Sequence, residues 1–308
     1  MIAHFKHHAL VGASAFLLAA CVSSQSFAPA ATTQTPTAAQ AYARNLLYVY
    51  LNSVELYTYP RGKPLGSLGV GGALCSDKFG NIVVAGSAGT SQVWVYPHGG
   101  SQPIAHMYNP NSPNGCSVDP RSENIAVAGA YPGSVVIFPY NAKRGWRLAH
   151  EYFDRNIHGS KYCAYDHQGN IFLDGVTYSL TFILAELRKG SSTFTTITLD
   201  RVIHAPGSMQ WDGKDLVIED AGKTSSSPAV IYRFAISGRK GHEIGATTLT
   251  NSVANGQFLI IGRTIIGPAK PGSLFGLGFW PYPKGGAPGR FLPLSTYNPL
   301  SALALSPK

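Results

Sequence analysis

The sequence predicts an all-β chain folded as a six-bladed β-propeller, and three observations carry that expectation. A unit of roughly 45 residues recurs along the chain, a period that belongs to propeller blades. Each copy joins two short apolar strands through a tight turn rich in Asp, Gly and Asn. The two ends of the repeat region are incomplete in complementary ways, so that one end can complete the other.

The clearest copies are Ala73-Leu74-Cys75-Ser76-Asp77 with Gly80-Asn81-Ile82-Val83-Val84, and Gly115-Cys116-Ser117-Val118-Asp119 with Asn124-Ile125-Ala126-Val127. A third is Cys163-Ala164-Tyr165-Asp166 with Gly169-Asn170-Ile171-Phe172-Leu173. A fourth runs from Met209-Gln210-Trp211-Asp212 through Gly213-Lys214 into Leu216-Val217-Ile218, and a weaker fifth from Gly256 to Ile261 turns at Gly262-Arg263. Gly-Asn and Asp-Gly supply the positive φ that tight hairpins need. Third strands follow at Val93–Pro97, Val135–Pro139, Ile231–Phe234 and Gly278–Pro283. Outer strands follow at Ile104–Tyr108 and at Leu148–Tyr152, where proline is tolerated because an edge can spare a donor.

The loose ends are the lone C-terminal strand Leu300–Leu305 and three N-terminal strands, Leu46–Tyr50, Val54–Tyr59 and Leu65–Leu68. Joined, they make a sixth blade, and closure removes edges that would otherwise pair promiscuously. A sandwich or solenoid could share this composition, but neither explains complementary half-blades.

Ahead of the repeats, Lys6 and the apolar run Ala9–Ala20 have the layout of a secretory signal, too short to span a bilayer. Leu18-Ala19-Ala20-Cys21 resembles the bacterial lipobox, which implies cleavage before Cys21 and lipid on its sulfur. An ordinary cleavable signal with a chance cysteine is the plainer alternative. Val22, in place of an aspartate, points by the same resemblance to the outer membrane, facing the periplasm or the cell surface. Residues 22–44 are Ser, Thr, Gln, Ala and Pro with one charge, Arg44, the composition of a flexible tether. The expected organisation is therefore a signal over 1–21, a tether over 22–44 and a propeller over 45–308.

The motif Gly115-Cys116-Ser117-Val118-Asp119 … Asn124-Ile125-Ala126-Val127-Ala128-Gly129 … Ser134-Val135-Val136-Ile137-Phe138 resembles an NHL-type repeat. That group extends to gluconolactonase-like and streptogramin-lyase-like propellers, and the resemblance covers 45–308. It speaks for architecture and says little of function, because the fold hosts binders, scaffolds and enzymes. Ala85-Gly86 and Ala128-Gly129 stand where such repeats usually have Asp or Asn, so a divergent branch is expected. Gluconolactonase-like relatives imply a channel metal on Glu, Asn and Asp from first strands. Here those strands offer Cys75, Cys116, Cys163, Gln210 and Gln257, and Glu55 lies on a third strand.

Spacing from the repeat aspartates suggests a site at one channel mouth. His158 stands eight residues before Asp166 and His204 eight before Asp212; Asp174 and Asp220 stand eight after them. Imidazoles and carboxylates could hold a divalent metal, making His158, His204, Asp174 and Asp220 the candidate ligands. Inheritance of matching loops by duplicated blades is the plainer explanation, since Asp at a strand end commonly braces a turn. A streptogramin-lyase-like pair would be His204 with Glu219. No Gly-x-Ser-x-Gly elbow, His-Glu-x-x-His helix or phosphate loop occurs.

The favoured expectation is a non-catalytic binding module, monomeric and without a required cofactor. Its mouth would be built from Asn111, Asn114, His158, Lys161, Asp174, His204 and Asp220, with an unknown small molecule or envelope protein as partner. A metal-assisted hydrolase or lyase at the same mouth is the competing class. Of the chain's 24 basic residues, all but Lys6 remain beyond the signal against 15 acidic ones, a net charge of +8. Arg61, Lys63, Lys143, Arg144, Arg188, Lys189, Arg239, Lys240 and Lys284 are expected on outer turns, a basic rim able to meet an anionic surface. Solubility of exposed turns explains the same residues. Export and the lack of an aromatic–basic stacking motif argue against nucleic acid. With Cys21 assigned to lipid, Cys75, Cys116 and Cys163 form an odd set, expected as small buried side chains with any pairing left open.

Overall fold

The computed structural model describes residues 45–86, 91–109, 111–130, 133–141, 145–146, 149–222, 224, 227–253, 256–294 and 300–308. The expected signal, Cys21, the tether, Lys143 and Arg144 lie outside the described residues. Among those described there is no helix; every element is a strand.

In chain order, β1 (Leu46–Tyr50), β2 (Val54–Thr58) and β3 (Pro64–Ser67) form an antiparallel meander, followed by β4 (Gly72–Ser76), β5 (Ile82–Gly86), β6 (Gln92–Tyr96) and β7 (Ala105–Tyr108). Next come β8 (Pro113–Val118), β9 (Ile125–Gly129) and β10 (Ser134–Phe138). A small hairpin of β11 (Tyr140–Asn141) and β12 (Gly145–Trp146) then interrupts before the outer strand β13 (His150–Phe153). The following strands are β14 (Gly159–Tyr165), β15 (Ile171–Val176), β16 (Phe182–Leu187) and β17 (Phe194–Leu199). They precede β18 (Pro206–Trp211), β19 (Leu216–Asp220), β20 (Ala229–Ser237) and β21 (Lys240–Leu249). The last are β22 (Leu259–Ile261), β23 (Thr264–Ala269), β24 (Gly276–Pro281), β25 (Arg290–Pro293) and β26 (Ala302–Ser306).

β26 pairs antiparallel with β1, giving a sheet ordered β26-β1-β2-β3 as the complementary ends predict. Three further four-stranded sheets follow the same meander, β4–β7, β8-β9-β10-β13 and β22–β25. The meanders β14–β17 and β18–β21 are fused into one eight-stranded sheet. Their junction is a two-residue parallel ladder, Thr198 opposite Lys240 and Leu199 opposite Gly241. The sequence did not reveal this fusion, nor the β11–β12 insertion. The fusion arises because β20 and β21 overrun β19, and their projecting tip lies along the end of β17.

Successive inner strands pack in a ring: β4 against β8, β8 against β14, β14 against β18, and β26 against both β4 and β22. Hydrogen bonds tie β18 to β22, since Gln210 accepts from the Ile260 N–H and donates to its carbonyl. Apolar residues of neighbouring meanders interleave, as where Leu74, Ile82 and Val84 of one meander meet Leu46, Tyr48 and Leu56 of another. The strand aromatics Tyr48, Tyr96, Phe138, Tyr232 and Trp280 are all buried.

The repeat aspartate has a definite task. Asp77 accepts from the N–H groups of Phe79 and Asn81, and Asp166 from those of Gln168 and Asn170. In both turns the Asn side chain donates to the second carboxylate oxygen, at 2.6 Å and 2.8 Å. Gly80 and Gly169, at φ 85° and 88°, supply the left-handed step that lets the chain reverse around the carboxylate.

Of the three cysteines whose pairing the sequence left open, two are joined. Cys75 and Cys116 are disulfide-bonded, with Cα atoms 5.7 Å apart, and pin β4 to β8. Sequence spacing could not show this pairing, because the two residues lie on inner strands of different repeats 41 positions apart. Cys163 remains a buried free thiol.

Candidate functional site

The loops before each inner strand and after each second strand share one end of the channel, where the sequence placed a binding mouth. Of the seven residues expected there, Asn114 and Lys161 line a small pocket of about 140 Å³ with Tyr162, Pro206 and Gly207. Asn114 also donates to the Ser160 carbonyl at 2.8 Å. Asn111 is drawn aside, donating to Ser134 Oγ at 2.7 Å and to Glu151. His158 packs its ring on Tyr178, with centroids 4.0 Å apart.

Asp174, Glu219 and Asp220 all brace backbone. β14 carries a bulge between Ser160 and Cys163, and Asp174 Oδ1 accepts the stray N–H of Tyr162 at 2.7 Å. β18 carries the matching bulge between Pro206 and Met209, and there Glu219 accepts the Ser208 N–H at 3.2 Å. Glu219 is therefore the structural counterpart of Asp174, not Asp220. Counting eight residues fails because the β18–β19 turn is one residue shorter than the β14–β15 turn. Asp220 accepts from the backbone of His204, Ala205 and Gly222 and from His204 Nδ1 at 3.0 Å.

These environments separate the carboxyls. Burial pushes Asp174 up to about 7, against the opposing pull of the Tyr162 N–H and Lys161. Burial, with Asp220 adding to it, pushes Glu219 up to about 8 although the Ser208 N–H opposes it. Burial also raises Asp220, but its several N–H donors outweigh that and leave it below the usual carboxylate value.

His204 and Asp220 meet, but among the described residues no three His, Cys, Asp or Glu side chains gather where they could hold an ion. The alternative pair of His204 and Glu219 is likewise not formed. Consecutive strand residues point to opposite faces, so Asp220 takes His204 while Glu219 turns into the sheet bulge.

A larger cavity, about 440 Å³, opens at the other end of the channel, beside Pro120, His167 and Gly213. Its walls come from inner strands around the ring, among them Ser76, Ser117, Tyr165, Gln210, Trp211 and Gln257, and the Cys75–Cys116 disulfide. None of its lining residues is acidic. Trp211 stands between His167, at 5.9 Å, and Phe172, against which it stacks at 6.1 Å. Its indole N–H is buried and makes no hydrogen bond. No motif marks His167 and Trp211 as cavity residues, and the signal they carry in the sequence is positional. They immediately follow and precede repeat aspartates, so they stand where hairpin turns border the channel.

Around this second mouth the hairpin turns are basic. Lys78, Arg121, Lys214 and Arg263 are exposed on the turns nearest the channel, and Arg61, Lys63, Arg188, Lys189 and Lys284 on the outer turns. Arg239 and Lys240 are also exposed, at the tip that meets β17 beside Asp200. The acidic residues of these hairpin turns are buried or half-buried, as the repeat aspartates cap backbone and Glu123 pairs with Lys78 at 3.3 Å, whereas Asp200 beside the Arg239–Lys240 tip is exposed.

No protein-family model matches the chain, and no curated protein matches it by sequence. Solved structures do match in shape. TolB from Acinetobacter baumannii superposes with a TM-score of 0.60 at 13% identity, over 87% of this chain and 68% of that one. A chain of a nidogen/laminin complex gives 0.59 at 11% identity, over 85% of this chain and 98% of the other. Hydrazine synthase from Kuenenia stuttgartiensis gives 0.51 at 13% identity, over 74% and 70%. At such identities the likeness is one of fold, and the three names share no activity. Taken with the ring of antiparallel meanders around a channel, they show that the chain is a β-propeller.

Proposed function

We propose that this protein is a non-catalytic binding module of the cell envelope whose ligand occupies the channel cavity beside Trp211. Each antiparallel meander is read as one blade, six in all, the fused sheet counting as two blades joined at their rims. The NHL-like character rests on the repeat motif around Asp119 and Asp166. Export rests on the signal-like start and Leu18-Ala19-Ala20-Cys21, with the lipid on Cys21 and the outer membrane as destination. The Cys75–Cys116 disulfide supports export, because such bonds persist in oxidising compartments.

The observation that carries the binding reading is the cavity itself. Its volume of about 440 Å³ falls within the range of small-molecule sites, roughly 300–1,000 Å³, whereas the opposite mouth offers only about 140 Å³. Walls that include Tyr165, His167, Trp211 and Phe258 suit a flat molecule. A lining without carboxylates inside a basic surround favours a neutral or anionic one.

The test is titration with 8-anilinonaphthalene-1-sulfonate, an aromatic anion of suitable size, followed by tryptophan fluorescence. Saturable binding at one site, lost in Trp211→Phe as a fluorescence response and in Ser76→Phe as affinity, is the expected result. Binding unaffected by Ser76→Phe would place the dye elsewhere and remove the support for a channel site.

A further inference from the structure

We infer that the basic end of the propeller is its membrane-facing side, docking on the anionic phospholipid headgroups of the bilayer that holds the protein's own anchor. Two independent observations meet there. The first is charge: the turns at that end expose Arg61, Lys63, Arg121, Lys189, Lys214 and Arg263, and the aspartates of those turns are buried or half-buried.

The second is where the chain enters the fold. β1 begins at Leu46, paired with Thr58 at the start of the turn that carries Arg61 and Lys63. The Asn45 carbonyl accepts the N–H of Tyr59, within that same turn, at 2.9 Å. Asn45, where the described residues begin, therefore lies at the basic end and not at the loop end. A lipid at Cys21 would draw this end toward the surface, and the basic turns would meet it first. This step rests on the lipid-anchor reading, whereas the charge asymmetry does not.

Each basic residue close to an anionic membrane strengthens partitioning about fivefold, and the effect decays within a Debye length of roughly 10 Å at 0.1 M salt. Several turns at one level therefore suffice for a strong preference even without lipid.

The experiment uses the full chain as Cys21→Ser, so that no acyl group contributes. It is sedimented with vesicles of phosphatidylethanolamine containing about one third phosphatidylglycerol, and with vesicles of phosphatidylcholine alone. Binding to the anionic vesicles only, abolished by 0.5 M salt, is expected. Arg61→Glu/Lys63→Glu/Arg121→Glu/Lys214→Glu should weaken it by more than about a hundredfold. Arg155→Glu/Lys270→Glu, at the loop end, should leave it within about threefold. Equal binding to both vesicle types, or an equal loss in the loop-end variant, would overturn the proposal. The salt titration of the unmutated surface keeps the test decisive if the fourfold variant fails to fold. Incorporation of labelled palmitate into the chain with Cys21, compared with Cys21→Ser, tests the anchor separately. Lipidation without anionic preference sinks the docking face alone, and anionic preference without lipidation sinks the anchor alone.

Discussion

Glu219 and Asp174 are acids that the fold keeps protonated where solvent would ionise them. Glu219 is raised from 4.5 to about 8 and Asp174 from 3.8 to about 7, in both cases chiefly by burial. Between its two values each native carboxyl holds a proton that the unfolded chain has lost. Stability must then fall as pH rises through that window, and it is unaffected below the unfolded value, where both states are protonated. Glu219→Gln keeps an oxygen for the Ser208 N–H and has nothing to ionise. In urea melts it should match the parent near pH 4 and exceed it at pH 8 by on the order of 3 kcal/mol. A gain that is equal at both pH values would show that Glu219 is not buried in its acid form. The pairing of His204 with Asp220 belongs to the same scale. The sequence supplied the residues, but their partners depended on a one-residue difference in turn length that shifts every count beyond it.

At the level of strands, the disulfide explains an asymmetry among the repeats. Cys75 stands two residues before its repeat aspartate, while Cys116 and Cys163 stand three before theirs. Cys75 on β4 therefore faces forward to Cys116 on β8. At the next junction Ser117, also two before its aspartate, accepts the Tyr165 N–H, and Cys163 has no thiol opposite it. Ser117→Cys should bring a thiol to the place that Cys75 holds one junction earlier. Oxidation should then produce a second disulfide, seen as loss of the Cys163 thiol in a mass-tagging assay. Cys75→Ser/Cys116→Ser should lower stability by about 2–4 kcal/mol in denaturant melts. The strands, their hairpin turns and the capping aspartates were legible in the sequence, because each depends on neighbours a few residues away. The fused rim of β17 and β21 was not, because it follows from how far one hairpin overruns its sheet.

Across the whole molecule, closure by β26 joins the first and last of the described strands. Leu303 and Ala304 are buried on this strand, and Leu303 N–H reaches Gln257, which also donates to the Leu74 carbonyl. Removing residues 302–308 should expose the edge of β1 and the walls of the channel. Loss of the cooperative melt, or aggregation at concentrations where the parent stays soluble, is the expected outcome. A truncated chain that melts like the parent would show that β26 is dispensable to the ring. Closure also separates the two ends of the channel. One carries loops that hold buried carboxyls against β-bulges, and the other carries basic turns around the larger cavity.

The amino-acid order alone suffices to read an all-β chain, the places of its strands and hairpin turns, and the shared sheet of its first and last described strands. Those features follow from alternation, turn chemistry and repeat spacing, which act over short stretches and survive without coordinates. Three-dimensional packing sets which mouth of the channel is spacious, which cysteines meet, and which carboxyl answers which N–H. It also puts the start of β1 at the basic end. Such features compare distances between residues far apart in sequence, where one bulge or one shortened turn redirects a side chain to the other face.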